Sequence, residues 1–516
     1  MFERFSRVIK NLTVVCFAVL GGMFLLMPAE TVAPVIISNR IIFVVAAVVA
    51  FFYFVRARKA QDQGKELSPI SKPLMLLIFG DLFLFQVFLC INISFRTTWD
   101  PQALWYCARY AAIRDLDGMR NMASYLSIYP NNLFLVWVYS LVFYWNECVL
   151  HITRDTLNLL QIMQCLISTL TAYLIYKTTR NITEDEKTSR IALVLYILLT
   201  GISAWLVIPY SDSTGLILPV LLLFIITNVT KADNKVKRYV LVCVEGILTY
   251  ASYKIKPEIV IVIVAMVIIE AIYLISNRKN LKYVKERINC VIIFIAGMIL
   301  SFVLVNAATD SMGYELDPEA ELGWQHFLMQ GMNESSRGGN SDSDRDFSLS
   351  IATKAERDSA NLQVAGNRIR EMGAGRFIKL LCIKVYRAFS SGNFGFGGVG
   401  AGFYHEYSTP RLGKISIILR SIFWEKDVFE GTSVRSYYWI YTLLKQFMWV
   451  LILAMVPFGI RNTKTDKSSM ILVLALLGVF VYFMLLESHP RYMLVQSPLL
   501  CICAAKGVTS GVSNKQ

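Results

Sequence analysis

The stretch KPLMLLIFGDLFLFQVFLCINISFRTTWDPQALW, residues 72–105, decides between a soluble chain and a membrane one. Its first part is an apolar run long enough to cross about 30 Å of hydrocarbon as a helix. It ends in RTTWDPQALW, which sets a carboxylate, Asp100, beside Trp99 and Pro101 at the mouth of that helix. Working outward, apolar runs of similar length recur along most of the chain, near 11–28, 41–56, 73–95, 132–149, 156–176, 190–208, 213–230, 239–253, 257–275, 290–307, 437–460, 469–486 and 491–507. Backbone in lipid must satisfy its own hydrogen bonds, and these runs lack the alternation of a membrane barrel, so each is expected to be a helix. The predicted fold is an all-α polytopic membrane protein of about 12–13 spans.

Composition agrees. Of 516 residues 55% are hydrophobic and only 17% charged, against about a quarter charged in a soluble domain. The net charge of +14 would point to nucleic acid in a soluble protein. Here the basic residues cluster in short loops (RARKAQDQGK from Arg56, KADNKVKR from Lys231, NRKNLKYVKER from Asn277, RNTKTDK from Arg461). That is the signature of cytoplasmic loops, and no nucleic-acid motif accompanies it. Most of the ten cysteines lie in apolar runs and read as small buried hydrophobes. The start, MFERFSRVIK, has the flavour of a signal peptide, but with so many later spans an uncleaved first helix is expected.

The basic loops put both chain ends inside, which requires an even number of crossings, and thirteen runs do not comply. The conflict falls between 96 and 230, where two lines of counting disagree on the loop KTTRNITEDEKTSR at 177–190. The expected organisation is an N-terminal membrane domain over 1–307 with an external loop at 96–131. A large external region follows over 308–436, and the helices of 437–516 end in a short cytoplasmic tail.

Charges at span ends are costly and usually functional. Asp100 is followed by Asp115 and Asp117, a D-x-D spacing that is common and weak. Tyr129, Pro130, Asn131 and Asn132 open the next apolar run. Asp212 reads either as a helix cap or as a site residue. Lys254, Lys256 and Glu258 sit on the side expected to be external, where lysine suits an anionic ligand or merely snorkels. Glu487 and Arg491 bracket His489 before the last run; they can form an ion pair, and arginine also matches phosphate geometry. Asp342, Asp344 and Asp346 imitate the start of a calcium loop without its glycine and closing glutamate. His151, His326, His405 and His489 show no metal-ligand spacing.

In this order, the early external acid, Y-P-N-N at 129–132, P-Y-S-D at 209–212, I-K-P at 255–257, G-W-Q-H-F at 323–327 ahead of G-G-N and the acid-rich loop, and E-S-H-P-R-Y at 487–492 resemble bacterial membrane glycosyltransferases of the GT-C superfamily. The likeness is to the mannosyltransferase-like proteins of Gram-positive bacteria related to family 39. It spans about 73–507. It implies a GT-C-like bundle, a polyprenyl-phosphate sugar as donor, and transfer to a glycan or protein acceptor at the external membrane face. No cofactor is implied, although a divalent metal stays an option. The family's catalytic acid follows an early span, which matches Asp100, with Asp115–Asp117 as a second match. Tyr129, Asn132, Asp212, Lys256, His326, Glu487 and Arg491 match substrate-binding positions. The wider family often has His-Pro where this chain has Y-P-N-N. Two other classes share the layout: a flippase for lipid-linked sugars, which tends to show repeated halves that are not seen here, and an O-antigen polymerase or ligase, which relies on arginines in a large external loop.

Overall fold

The computed structural model describes residues 1–27, 39–59, 67–396, 406–407, 412–424 and 433–509. Part of the glycine-rich stretch after Asn393, His405 and the chain end beyond Thr509 therefore lie outside the described residues. From the N-terminus, α1 (Phe2–Leu26), α2 (Asn39–Lys59) and α3 (Lys72–Ile93) run back and forth through the bundle. Next come α4 (Trp99–Ile113), α5 (Leu116–Ile128) and α6 (Leu133–Phe143), the last continued by a π-turn over Tyr144–Leu150. Then α7 (Leu157–Thr183), α8 (Glu186–Tyr196), the short α9 (Ser211–Thr214) leading into α10 (Leu218–Thr230), α11 (Lys235–Ile255), α12 (Ile261–Ser276) and α13 (Leu281–Asp310) complete the first bundle. An outer layer of α14 (Trp324–Gly331), α15 (Asp342–Leu349), α16 (Lys354–Phe389) and α17 (Lys414–Phe423) precedes α18 (Tyr438–Arg461), α19 (Lys467–Leu485) and α20 (Tyr492–Thr509). The one described strand pair joins Phe95–Arg96 antiparallel to Glu406–Tyr407.

Among the described residues ten helices are long and apolar enough to cross a membrane. Local chemistry starts several of them where the sequence changes from polar to apolar: Asn280 accepts from the Tyr283 amide, and Asp466 from the Ser469 amide. Where helices meet, small residues let backbones touch. A side chain at Gly459 would collide with the Cys503 carbonyl on α20, and one at Gly246 with the Phe294 carbonyl on α13.

The ends of the helices sort onto two faces. On one face Lys464 pairs with Glu184 at 2.9 Å, Lys231 reaches the same carboxylate, Lys10 donates to the Thr463 carbonyl, and Thr188 meets Thr509. The basic loops from Lys231, Asn277 and Arg461 gather there, and so does the loop over 177–190; most of the loop from Arg56 lies outside the described residues. On the other face, Arg96 pairs with Asp155 at 3.2 Å and Ser94 donates to Gln161 at 2.9 Å.

Residues 94–96 and 155–161 lie on the same face, so the chain between them crosses an even number of times or not at all. The α-helical part of the apolar run at 132–149, 11 residues, is by itself roughly 16 Å long, half of what a span needs. The π-turn then ends it at His151, which adopts a left-handed φ of 49°. Polar ties hold its end: Asn146 donates to the Thr153 carbonyl and to Thr156, and Glu147 takes Arg109 of α4 at 2.9 Å. Against the expected 12–13 spans, α2, α8 and α11 fall short of the length or hydropathy of a span, and the run continued by the π-turn to Leu150 meets both.

The region around 308–436 is ordered helix over much of its described length. Arg114 fastens its start by donating to the Met312 and Ser311 carbonyls. Its far end dips into the bundle, where Phe389 of α16 stacks on Phe480 of α19 at 4.9 Å. This layer roofs the face on which α4, α5 and α6 lie.

Candidate active site

Asp100 occupies the first turn of α4, where the positive end of the helix dipole favours a carboxylate. The chain enters that turn through Trp99 in a left-handed conformation, φ 59°. The Asp100 carboxylate accepts two phenol hydrogens, Tyr125 on Oδ1 at 3.2 Å and Tyr210 on Oδ2 at 3.0 Å. Burial, and then the negative charge of Asp100, push both phenols well above their ordinary pKa, so both remain donors. A carboxylate has about four acceptor positions. Two are filled, and the half-buried side chain keeps others for a further hydroxyl. Asn132 donates to the Tyr125 oxygen at 3.1 Å, which fixes that phenol. The Tyr129 ring lies 5.3 Å from the Tyr125 ring. Burial first, and then Asp100, raise its phenol too.

Beside this carboxylate is a buried charge cluster built from three connections of the bundle. Asp212, in α9, is fully buried. Lys256, just after α11, reaches its Oδ1 at 2.5 Å and Oε1 of Glu258 at 3.0 Å. The Lys256 ammonium also stands 4.4 Å from the Tyr492 ring centre. Its donors are directed at two carboxylates and a ring, so Lys256 neutralises the cluster from within. Arg491 differs. Its side chain is 15% exposed, and its Nε lies 3.8 Å from Asp212 Oδ2, beyond hydrogen-bond length. The guanidinium is held instead by rings: Trp99 at 4.9 Å, Tyr492 at 5.3 Å and Tyr210 at 5.6 Å. Among the described residues it makes no side-chain hydrogen bond, and the charge of Asp100 acts on it. A planar cation held by rings, with donors left over, is suited to an anion.

The remaining expected residues sort as follows. Glu487 borders the cluster through Tyr492, which donates to its Oε2 at 3.0 Å. The loop carrying G-G-N reaches this point, with the Ser488 amide donating to the Gly338 carbonyl at 2.9 Å. His326 is elsewhere. It packs in the outer layer, its Nδ1 2.8 Å from Ser348 Oγ, and Ser348 spends its own hydrogen on Asn361. The imidazole nitrogen is thereby assigned as donor, and its role is internal to that layer. Asp115 caps α5 through the Gly118 amide, and Asp117 makes a surface pair with Arg120. The acid-rich loop is spent similarly: Asp344 is gripped by Arg368 through bonds of 2.6 and 2.9 Å, while Asp342 and Asp346 flank Arg345. Among the described residues no group of three or more His, Cys, Asp or Glu gathers as a metal site.

Burial pushes His326 down to about 4. Its folded pKa lies below the ordinary 6.5, so the unfolded state binds the proton more readily. This contribution to stability is complete above pH 6.5 and is lost as pH falls from there towards 4, by up to about 3 kcal/mol. Hydrogen exchange in α14–α16 is expected to speed up between pH 7 and 5 in the wild type. In His326→Gln, compared at the same pH after correction for intrinsic exchange, it is expected to stay flat; equal slopes would refute the assignment.

Tyr125 and Tyr492, both central here, escaped sequence reading, because tyrosine at a membrane edge is ordinary. Only Y-x-x-x-Y at 125–129, one helical turn, hinted that Tyr125 faces the same way as Tyr129.

No curated protein sequence matches the chain. Among solved structures, the archaeal oligosaccharyltransferase AglB from Archaeoglobus fulgidus, in complex with an inhibitory peptide and a dolichol-phosphate, aligns at 12% identity and a TM-score of 0.36. The alignment covers 83% of this chain and 50% of that one, so this chain spans about half the length of the oligosaccharyltransferase. A likeness at that level fixes neither fold detail nor activity. A family model does match nearly the whole sequence, residues 12–511, and on that match the chain belongs to the family described as conserved hypothetical integral membrane protein.

Proposed function

We propose that the protein is an integral-membrane glycosyltransferase that moves a sugar from a polyprenyl-phosphate donor to an acceptor hydroxyl. The observation that carries this reading is the pairing of Asp100, a carboxylate with open acceptor positions, with Arg491, a buried guanidinium with unspent donors. Inverting transfer from a lipid phosphate requires those two groups. Asp100 takes the proton of the acceptor hydroxyl as its oxygen attacks the anomeric carbon. The new C–O bond forms as the bond to the phosphate oxygen breaks on the opposite side, and the electron pair leaves with the lipid phosphate. Charge grows on that phosphate in the transition state, where Arg491 stabilises it. Asp100 then returns its proton to water. Tyr125, Tyr210 and Asn132 orient the base. Asp212, Lys256 and Glu258 hold the frame on which Arg491 rests.

The basic loops lie on the face opposite this site, so by the positive-inside rule the site opens to the external side. The polymerase or ligase reading is weakened by the arginines of the outer layer. Arg345 and Arg368 are engaged with aspartates, and Arg357 donates to the Ser348, Glu319, Glu321 and Ile351 carbonyls.

The test is release of free polyprenyl phosphate from polyprenyl-phosphate hexoses by protein in lipid nanodiscs. Wild type is expected to turn donor over, and Arg491→Gln to lose about 10²–10³ in rate. Absence of turnover with every hexose donor, in the presence of cell-envelope acceptor extract, would overturn the transferase in favour of a flippase.

A further inference from the structure

The loop before α20, residues 486–491, meets the end of α16 across the turn that carries G-G-N. The Ser488 amide donates to the Gly338 carbonyl at 2.9 Å, and the Ser488 hydroxyl to the Lys384 carbonyl at 2.7 Å. Two glycines allow this approach: a side chain at Gly338 would collide with the Lys384 stem, and one at Gly339 with the Arg387 guanidinium. The two cations of α16 are used differently. Lys384 is buried and donates to the Met484 carbonyl at 2.9 Å. Arg387 is half-buried, and its one hydrogen bond among the described residues runs from Nη1 to the Ser336 carbonyl at 2.9 Å, so Nε and Nη2 keep their donors. In the loop, the Arg491 amide donates to Nδ1 of His489 at 3.3 Å. That bond assigns the ring proton to Nε2, and this N–H has no partner among the described residues. Burial, and then the charges of Arg491, Arg387 and Lys256, push the imidazole well below its ordinary pKa. His489 is therefore a neutral donor among cations.

We propose that Arg387 and His489 complete, with Arg491, the site of the departing lipid phosphate, and that this site prefers the dianion of the released monoester to the monoanion of the donor diester. This rests on the transferase reading. Both guanidinium charges act on the one imidazole, and the Ser488 bonds tie together the segments that carry them. All three groups offer donors, and among the described residues none of them is hydrogen-bonded to a carboxylate. Lys256 is excluded from this part, since its donors are directed at Asp212 and Glu258, and Glu487 of the same loop accepts from Tyr492. The donor phosphate, esterified to both lipid and sugar, carries one negative charge. When the bond between the anomeric carbon and the phosphate oxygen breaks, the electron pair stays on that oxygen. The lipid monoester then carries about 1.5 to 2 charges at pH 7, because its second pKa is about 6. One guanidinium balances the first state, and two balance the second. Donors that meet charge only as it develops lower the barrier rather than tighten the ground state.

The test is calorimetric titration of the full chain in nanodiscs with farnesyl phosphate and with farnesyl methyl phosphate, which share a chain and differ by one charge. Wild type is expected to bind the monoester about tenfold more tightly, a gap of roughly 1.4 kcal/mol. That ratio should shrink to near one in Arg387→Gln and shrink also in His489→Leu, while His489→Gln, which keeps a donor, should hold it. Loosening of the G-G-N turn would weaken both ligands alike and leave the ratio in place, so the ratio reads the phosphate contact. The proposal is overturned if wild type binds the two esters alike, if Arg387→Gln keeps the full ratio, or if farnesol binds as well as farnesyl phosphate. Inorganic phosphate that displaces farnesyl phosphate at equal concentration would likewise replace the lipid by free phosphate. Donor turnover on the same preparations separates the two readings. Turnover without a monoester preference removes the enlarged phosphate site alone. An Arg387-dependent preference without turnover removes the transferase and keeps a lipid-phosphate site.

Discussion

Asp100→Asn is expected to lower donor turnover by about 10²–10⁴, the usual contribution of a positioned general base, with little change in donor KM. The substitution is nearly isosteric. The Tyr125 hydroxyl at 3.2 Å can still donate to the amide oxygen, and the Tyr210 hydroxyl at 3.0 Å can turn to accept from the amide nitrogen. The fold should therefore survive, with a melting temperature close to wild type. What disappears is the basic site. Asp115→Asn is the matched comparison: the asparagine oxygen can still accept from the Gly118 amide, so both helix stability and turnover should stay close to wild type. An Asp100→Asn protein that melts normally and turns donor over within tenfold of wild type would remove Asp100 from the chemistry.

The second large effect is on folding. Lys256→Met should destabilise the protein by about 3–5 kcal/mol, because it strands Asp212 and Glu258 as buried carboxylates without their shared ammonium. Arg491 does not replace it, since its Nε is 3.8 Å from Asp212 and its plane is committed to three rings. The double change Lys256→Met with Asp212→Asn should recover part of that loss, and thermal unfolding of the four proteins in one lipid mixture gives the coupling directly. A single variant that melts with the wild type, or a double variant no more stable than Lys256→Met, would contradict the cluster as described. Lys256→Met, together with the turnover of Arg491→Gln, separates two charges that look alike in sequence: Lys256 is expected to act on stability, and Arg491 on rate.

The sequence by itself determined that the chain lives in a bilayer, that its spans are helices, and that its basic loops share one face. Those properties follow from the transfer cost of each residue and from the backbone's need to bond internally, which are additive along the chain and require no knowledge of neighbours. It also marked Asp100, Asp212, Lys256 and Arg491 as costly residues at span ends. Only the tertiary structure decided what each one meets. The run at 132–149 has the hydropathy of a span, but whether it crosses is set by where Arg109, Thr153 and Thr156 hold its ends, and hydropathy carries no direction. Lys256 and Arg491 are both cations at a helix end. One is enclosed by carboxylates within 44 residues of it, and the other by rings that include Trp99 and Tyr210, brought from more than two hundred residues away. His326 sits in a motif that resembles a site motif, yet Ser348 and Asn361 claim it. Charge and polarity can be read one residue at a time, whereas a hydrogen-bond partner is a property of a pair, and the pair exists only once the chain has folded.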